Sequence, residues 1–409
     1  MSIDTWPQAR SRFMFQRRDV RGTDAPLASA TKDGVFLRDD LDIAVWNPDS
    51  DVSNYKLVEP DDFVIGLRSF QHGISHSEIR GIVSPAYTVL RGTAAVEPRY
   101  FKYYFRSALL VSQLANITQG IRQGQTIDTE AFANLMLPAP PLDKQRRIAD
   151  FLDAETSRID GLAALRNHQV SLLKDKYMTA ISEFVTPGIS LAGERDVKWP
   201  WLPAQISTAR LGYAARVRTG ITVDSKRERT DEDDEYPYLR VANVQGEEID
   251  LSEIKMITIP RPVAARSTLV PGDLVMTEAN GNPDNLGRGA VWRGEVPGMV
   301  HQNHIFAIRA DRTKLTPEYL SVLLASEHGR RYFRTTSTQV GIATTSSSKV
   351  LDFPVPLLSL QEQRRVAKQC EEARTASSRV LDALARQLAL LAERRQALIT
   401  AAVTGEITV

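Results

Sequence analysis

Near the end of the chain, apolar positions step by three and four residues: Leu381, Leu384, Leu388 and Leu391, then Arg395, Leu398 and Ala402. Such spacing puts one stripe along a long α-helix, the seam of a coiled coil, with an Arg- and Glu-rich face opposite. An earlier stretch behaves alike, with Ile148, Leu152, Ile159, Leu162, Gln169 and Leu173 at three- or four-residue steps or their multiples. Each stretch follows a proline run, Leu137-Pro138-Ala139-Pro140-Pro141 or Phe353-Pro354-Val355-Pro356-Leu357. Asp143 is the expected N-cap of the first helix, and Thr186-Pro187-Gly188 its stop. About 40 helical residues rise roughly 60 Å. Each helix has one apolar stripe to bury, and the other, matched in length and pattern, is its expected antiparallel partner.

The two stretches are copies. Gln145-Arg146-Arg147-Ile148-Ala149 recurs 218 positions later as Gln363-Arg364-Arg365-Val366-Ala367. Leu172-Leu173 recurs as Leu390-Leu391, and Val185-Thr186 as Val403-Thr404, at the same spacing. Repetition at a fixed offset signals duplicated modules. The intervening regions repeat more loosely. In the first, Pro60-Asp61-Asp62 precedes the strand Phe63-Val64-Ile65-Gly66-Leu67, further strands are expected at Gly81-Ile82-Val83 and Tyr87-Thr88-Val89-Leu90, and one amphipathic helix from Glu97-Pro98 through Leu114. In the second, Pro271-Gly272-Asp273-Leu274-Val275-Met276 and Thr316-Pro317-Glu318-Tyr319-Leu320 take the corresponding places, and Thr338-Gln339-Val340-Gly341-Ile342 echoes Thr118-Gln119-Gly120-Ile121. The expected fold is α+β: two mixed α/β domains, residues 1–137 and 191–352, and two helical regions, residues 138–190 and 353–409. The helices would form an antiparallel coiled coil in a pseudo-twofold internal repeat.

With 409 residues, more than one core is expected. The net charge of +1 leaves nucleic-acid binding to depend on clustering of charge on one face. The single cysteine, Cys370, excludes an internal disulfide, fits a reducing compartment and reads as a small helix residue. Met1-Ser2-Ile3-Asp4 lacks the basic-then-apolar pattern of a secretion signal, and no run approaches the ~20 apolar residues of a membrane span. A cytoplasmic location is expected.

No catalytic pattern stands out. There is no Gly-rich dinucleotide fingerprint and no P-loop. Asn47-Pro48-Asp49 and Asn282-Pro283-Asp284 lack the aromatic that follows Asn-Pro-Pro in amino-methyltransferases, and read as turns. His301 and His304 lie three apart without the cysteines or carboxylates of a metal site. Asp273 with Glu278 suggests a nuclease carboxylate pair only faintly, since no lysine follows at the expected step.

Binding signals are stronger. Asn and Gln pair bidentately with adenine, and Arg with guanine. Candidate contacts of the first domain are Arg68, Gln71 and His72, with Arg122, Gln123 and Gln125 in a Gly- and Gln-rich loop. Those of the second are Asn280, Asn282, Asn285 and Arg288 in one loop, and Gln302, Asn303 and His304 in another. Ser346 and Lys349, in a hydroxyl-rich run, suit phosphates. Arg10, Arg12, Arg17, Arg18 and Arg21, interleaved with Phe13 and Phe15, suit a nucleic-acid backbone. A protein-only coiled-coil adaptor is the alternative, but has no need of two loop-variable domains of equal size.

These residues carry a resemblance. Leu137-Pro138-x-Pro140-Pro141-Leu142-x-x-Gln145-Arg146-x-Ile148, Gln363-Arg364-Arg365-Val366 and the run from Arg395 to Val403-Thr404-Gly405 resemble the two central helical regions of the specificity (S) subunits of type I restriction–modification systems. Gly81-Ile82-Val83-Ser84-Pro85-Ala86-Tyr87-Thr88-Val89-Leu90 resembles a strand of their target-recognition domains. The resemblance spans essentially the whole chain. One departure is Val185-Thr186-Pro187-Gly188, where Pro187 interrupts the Val-Thr-Gly ending. The resemblance implies a non-catalytic, DNA-binding subunit whose two target-recognition domains each read half of a bipartite, asymmetric site, with helices fixing the gap. It implies two methyltransferase (M) subunits, which carry S-adenosylmethionine, and two restriction (R) subunits, which use ATP and magnesium. No cofactor is implied in this chain itself.

Overall fold

The computed structural model describes residues 6–41, 51–67, 69–119, 126–222 and 232–409. It divides into two compact units, one of residues 1–167 with 384–409, the other of residues 168–383. Where sequence order suggests four consecutive segments, compactness groups the chain differently. The long helices Leu142–Val185 and Leu360–Thr404 each begin in one unit and end in the other. Asp143 lies inside the first turn of the first helix rather than capping it, and the Pro141 carbonyl accepts from Lys144 and Gln145 N–H.

Each unit is built on a four-stranded antiparallel sheet of the same order. In the first unit Phe15–Arg18 pairs with Thr88–Gly92, which pairs with Asp62–Ile65, which pairs with Ser75–His76. In the second the order is Ala215–Thr219, Ile305–Ala310, Asp273–Thr277, Gly289–Val291. The turn entering the central strand needs a left-handed residue, supplied by Asp61 (φ 69°) in one unit and Gly272 (φ 96°) in the other. The aspartate after it is fully buried in both. Asp273 accepts from Arg309 Nε and Nη2 at 2.7 and 2.6 Å and from Val270 N–H at 2.9 Å. Asp62 accepts from Glu59 N–H at 2.8 Å, and Arg91 Nε lies 2.6 Å from its Oδ1, an ion pair whose N–H is not aligned for a hydrogen bond. Burial raises the Asp62 carboxyl above its ordinary range, against the pull of Arg91 and Arg18. These carboxylates lock a turn; with both oxygens of Asp273 so engaged, the faint nuclease pairing with Glu278 has no free carboxylate.

Against each sheet packs a helix that opens on proline and then breaks. The expected continuous helix from Glu97 to Leu114 is two, Pro98–Tyr104 and Ala108–Asn116, because Ser107 caps the second through Leu110 N–H and its hydroxyl turns back to the Tyr104 carbonyl at 2.7 Å. Between Pro317–Ala325 and Glu327–Thr336 the Ser326 hydroxyl likewise turns back, donating to the Leu323 carbonyl at 2.7 Å, but its side chain caps no N–H of the second helix.

Within each unit the long helices meet as a pair. In the first, Ile148, Ala149 and Leu152 share a core with Ile399, Ala402 and Val403, while farther along Arg395 donates to Asp160 at 2.9 and 3.3 Å. One helix is descended as the other is climbed, so the segments run antiparallel. Tyr100 Oη and Trp6 Nε1 donate to the otherwise orphaned Val403 carbonyl at 2.9 and 3.1 Å. In the second unit Ile181 and Val185 share a core with Val366, Ala367 and Cys370. Of the predicted seam, Ile148, Leu152, Ile159 and Leu384 are buried, and Leu173, Leu381, Leu388, Leu391 and Leu398 are partly covered. Leu162 is a correction: it is 40% exposed. From Ile159 the covered stripe steps four residues, through the partly covered Ala163, and so passes Leu162 by.

Candidate nucleic-acid interface

In the second unit, three loops that are separate in sequence are stitched into one surface. Glu278 N–H donates to the His304 carbonyl and Thr345 N–H to the Glu278 carbonyl, both at 2.9 Å. Ala279–Asn280 pairs with Ile342–Thr344, which pairs with Thr338–Val340. Gly287 (φ 87°) anchors the first loop, since a Cβ there would lie 2.0 Å from the Phe333 ring. The surface carries Asn280, Asn282, His304, Ser346 and Lys349.

Side-chain bonds decide which groups are available. Asn280 Oδ1 accepts from Asn282 N–H and Asn282 Oδ1 from Asp284 N–H, at 2.9 and 3.0 Å, so each shapes a turn. Their amide NH2 groups have no partner among the described residues. Gln302 Oε1 accepts from Val241 N–H at 3.2 Å. Asn303 Nδ2 lies 3.4 Å from His304 Nε2, and His304 Nδ1 is 2.9 Å from Glu278 Oε2. Ser346 caps the Ser347–Leu351 helix, and Lys349 Nζ donates to Thr338 Oγ1 at 3.4 Å. A phosphate would therefore meet one ammonium and a capped helix turn, not a free hydroxyl cluster.

Arg288 and Asn285 are engaged with other groups of the protein. Arg288 Nε and Nη2 fork onto Glu247 at 2.8 and 2.6 Å, and Nη1 donates to Asn285 Oδ1 at 2.8 Å. The guanidinium fork that would read guanine is spent inside the protein, and the Glu247 bonds hold its charge firmly. Sequence reasoning missed Glu247, which fixes Arg288, and the pairing of Glu278 with His304; the available signal was opposite charge, but without spacing to join partners 41 and 26 positions apart.

His301 is not part of this surface. It is buried, its Nδ1 3.0 Å from the Ser267 carbonyl, and burial lowers it to about 4. His328 is likewise driven down to about 4, with Trp201 Nε1 donating to Nδ1 at 2.9 Å and Nε2 donating to the Pro354 carbonyl at 2.7 Å. Burial pushes the Cys370 thiol up to about 12. No group of three or more potential metal ligands occurs among the described residues.

In the first unit Gln71 and His72 are exposed on the short helix Ser69–His72, beside the hairpin strand Thr126–Ile127. Arg68, Arg122, Gln123 and Gln125 lie outside the described residues. The arginine-rich start divides: Arg10 and Arg12 are exposed, while Arg18 pairs with Glu59 at 2.6 Å and Arg21 with Asp19 at 2.7 Å. Phe15 belongs to the core, 5.0 Å from the Phe101 ring edge to face, and Phe13 is 69% exposed.

Fold and loops define a class: a duplicated α+β chain with a helix-bridged framework and variable polar loops. No protein-family model matches the chain. It is 24% identical over 396 residues to the type I restriction enzyme EcoKI specificity subunit of Escherichia coli (strain K12), covering 93% of this chain and 82% of that protein. It is 23% identical over 395 residues to the type I restriction enzyme StySPI specificity subunit of Salmonella potsdam, covering 93% and 81%. A solved chain from work on complex assembly and conformational transition of the type I R-M system superposes with a TM-score of 0.71 at 17% identity, over 99% of both chains. The chain is a relative of the type I restriction enzyme specificity subunits. No described helix is long and apolar enough to cross a membrane.

Proposed function

We propose that this protein is the non-catalytic DNA-specificity subunit of a cytoplasmic type I restriction–modification complex. Each unit supplies one target-recognition surface and reads one half of a bipartite, asymmetric site. The antiparallel long helices form a coiled coil that sets the gap between the halves. The single observation that carries this reading is the near full-length similarity to specificity subunits. The shared sheet order of the two units supports it, since duplication with differing loops suits two different half-sites. Asn280, Asn282, Gln302, Asn303, His304 and Lys349 are the proposed contacts in one unit, with Arg68, Gln71, His72, Arg122, Gln123 and Gln125 in the other. Two methyltransferase subunits would bring S-adenosylmethionine, and two restriction subunits ATP and magnesium; this chain supplies position.

The test is to co-express the chain with the methyltransferase encoded beside it and map adenine methylation genome-wide. A two-part motif with a fixed gap, lost when this chain is deleted, is expected. Methylation unchanged by the deletion would leave the protein-only adaptor as the better reading.

A further inference from the structure

Each unit has a cavity beside its proline-opened helix, and the two differ in chemistry. In the second unit Val291, Ser321, Val322 and Ala325 line about 430 Å³. In the first unit the cavity is about 520 Å³, and His76, Lys102, Tyr103 and Arg106 take the matched places. Lys102, Tyr103 and Arg106 lie 219 residues before Ser321, Val322 and Ala325. His76 pairs with Phe63 on the sheet as Val291 pairs with Leu274. The framework closes over small and apolar groups in one unit, so it does not require the guanidinium and the imidazole of the other.

Both of those groups are left unsatisfied. Arg106 Nε is buried without a hydrogen-bond partner, and the guanidinium makes no ion pair among the described residues. Asp33, in the turn between Ala28–Ala30 and Val35–Leu37, attracts it from a distance, and Arg395 repels it. The other two cations of the cavity are spent: Lys102 on Glu78 at 2.6 Å, and Arg395 on Asp160 at 2.9 and 3.3 Å. His76 is buried, and its Nε2 donates to Asp61 Oδ1 at 3.2 Å. Burial holds the imidazole below its ordinary value, so it stays neutral and its Nδ1 carries a lone pair. That Nδ1 is buried without a donor, and the Glu78 carboxylate, 4.0 Å away, cannot supply one.

We infer that the cavity of the first unit binds a small phosphate monoester, whose oxygens accept from Arg106 and whose remaining hydroxyl donates to His76 Nδ1. With a second pKa of about 6, a monoester keeps a P–O–H beside its accepting oxygens, which a carboxylate or a phosphodiester lacks. The cavity is larger than a bare phosphate needs and falls within the roughly 300–1,000 Å³ of small-ligand pockets. Val35, Phe36, Ile79 and Tyr103 border it and suit an apolar or aromatic body. Its walls are the hairpin turn, the Pro98–Tyr104 helix and the long helices, so the site is independent of DNA reading.

The experiment titrates the full chain by calorimetry with phenyl phosphate at about pH 6, where the monoester keeps its hydroxyl. Inorganic phosphate, benzoate and the diester methyl phenyl phosphate are titrated beside it, and melting is followed in parallel. Saturable binding of phenyl phosphate is expected, weaker by about tenfold or more for the other three probes and in Arg106→Met. Arg106→Met keeps the aliphatic stem and removes an unpaired charge, so without ligand it should melt no lower than the unaltered chain. Asp33→Asn removes the carboxylate drawn to Arg106 and should not weaken binding. No binding by the unaltered chain, or equal binding in Arg106→Met, would overturn the site. So would lower melting in both Arg106→Met and Asp33→Asn, which would make Arg106 half of a structural ion pair. Benzoate or the diester bound as tightly as phenyl phosphate would overturn the monoester, and inorganic phosphate bound as tightly would overturn the organic body.

Discussion

Gln145 and Gln363 make the same three hydrogen bonds, each within its own unit. Gln145 Oε1 accepts from Glu97 N–H at 2.8 Å, and its Nε2 donates to the Ala95 and Pro140 carbonyls at 3.0 and 2.9 Å. Gln363 Oε1 accepts from Thr316 N–H at 2.9 Å, and its Nε2 donates to the Lys314 and Leu358 carbonyls at 2.9 and 3.0 Å. The first turn of each long helix is thus fastened to the start of a proline-opened helix. Replacing either with leucine strands three backbone groups, with a cost of about 2–4 kcal/mol expected. Gln145→Glu retains the acceptor and forfeits the donor, and belongs between leucine and wild type in urea unfolding. A neutral effect of Gln145→Leu would show that the fastening carries no stability.

Acid should weaken the second unit. His301 and His328 are held neutral, lowered to about 4 from an ordinary 6.5. Between those values the unfolded chain binds more protons than the folded one, so this part of the stability is complete above pH 6.5 and is lost as pH falls toward 4. Each histidine contributes up to about 3 kcal/mol over that window. Protonating His328 Nδ1 would set N–H against the Trp201 N–H. Unfolding free energies at steps from pH 7.5 to 4.5 should fall, and less steeply in His328→Phe whatever that variant's absolute stability. An identical slope would assign the acid loss elsewhere.

Arg288 is expected to act on stability, not on sequence choice. Arg288→Ala leaves Glu247 half-buried without its fork and frees Asn285, at a cost of about 1–2 kcal/mol after allowance for solvent screening. The methylated motif should keep the same bases. A base relaxed at one position, with unchanged melting, would restore Arg288 to the reading surface.

These outcomes mark how far sequence carries. The repeated glutamines, the proline openings and the Pro-x-Asp turns were legible, because each serves the framework at a fixed offset in both units. Of the stripe positions read from period, Leu162 and Gln169 are exposed; at Leu162 apolar character outweighed the small Ala163 that lies on the covered stripe. The helix break at Ser107 was hidden because a serine inside an apolar pattern resembles a tolerated helix residue. Composition could not separate reading side chains from bracing ones. Asn280 and Arg288 look alike as polar loop residues, and only the fold brings Glu247 to one of them. The strands Asp233–Leu239 and Lys255–Pro260 escaped notice because their charged and proline residues obscure alternation.

The length of the long helices should appear in the DNA target. Seven residues added to one helix alone, beside the exposed Leu172, put its downstream stripe out of step with the partner helix and should abolish assembly. Seven added to both, at Leu172 and Leu390, preserve the stripe and lengthen each helix by about 10 Å. At about 3.4 Å per base pair, the gap in the methylated motif should grow by about three base pairs, with both half-sites unaltered. Methylation mapping of the doubly extended protein reads this directly. An active protein with an unchanged gap would mean that the helices hold the chain together without measuring the DNA.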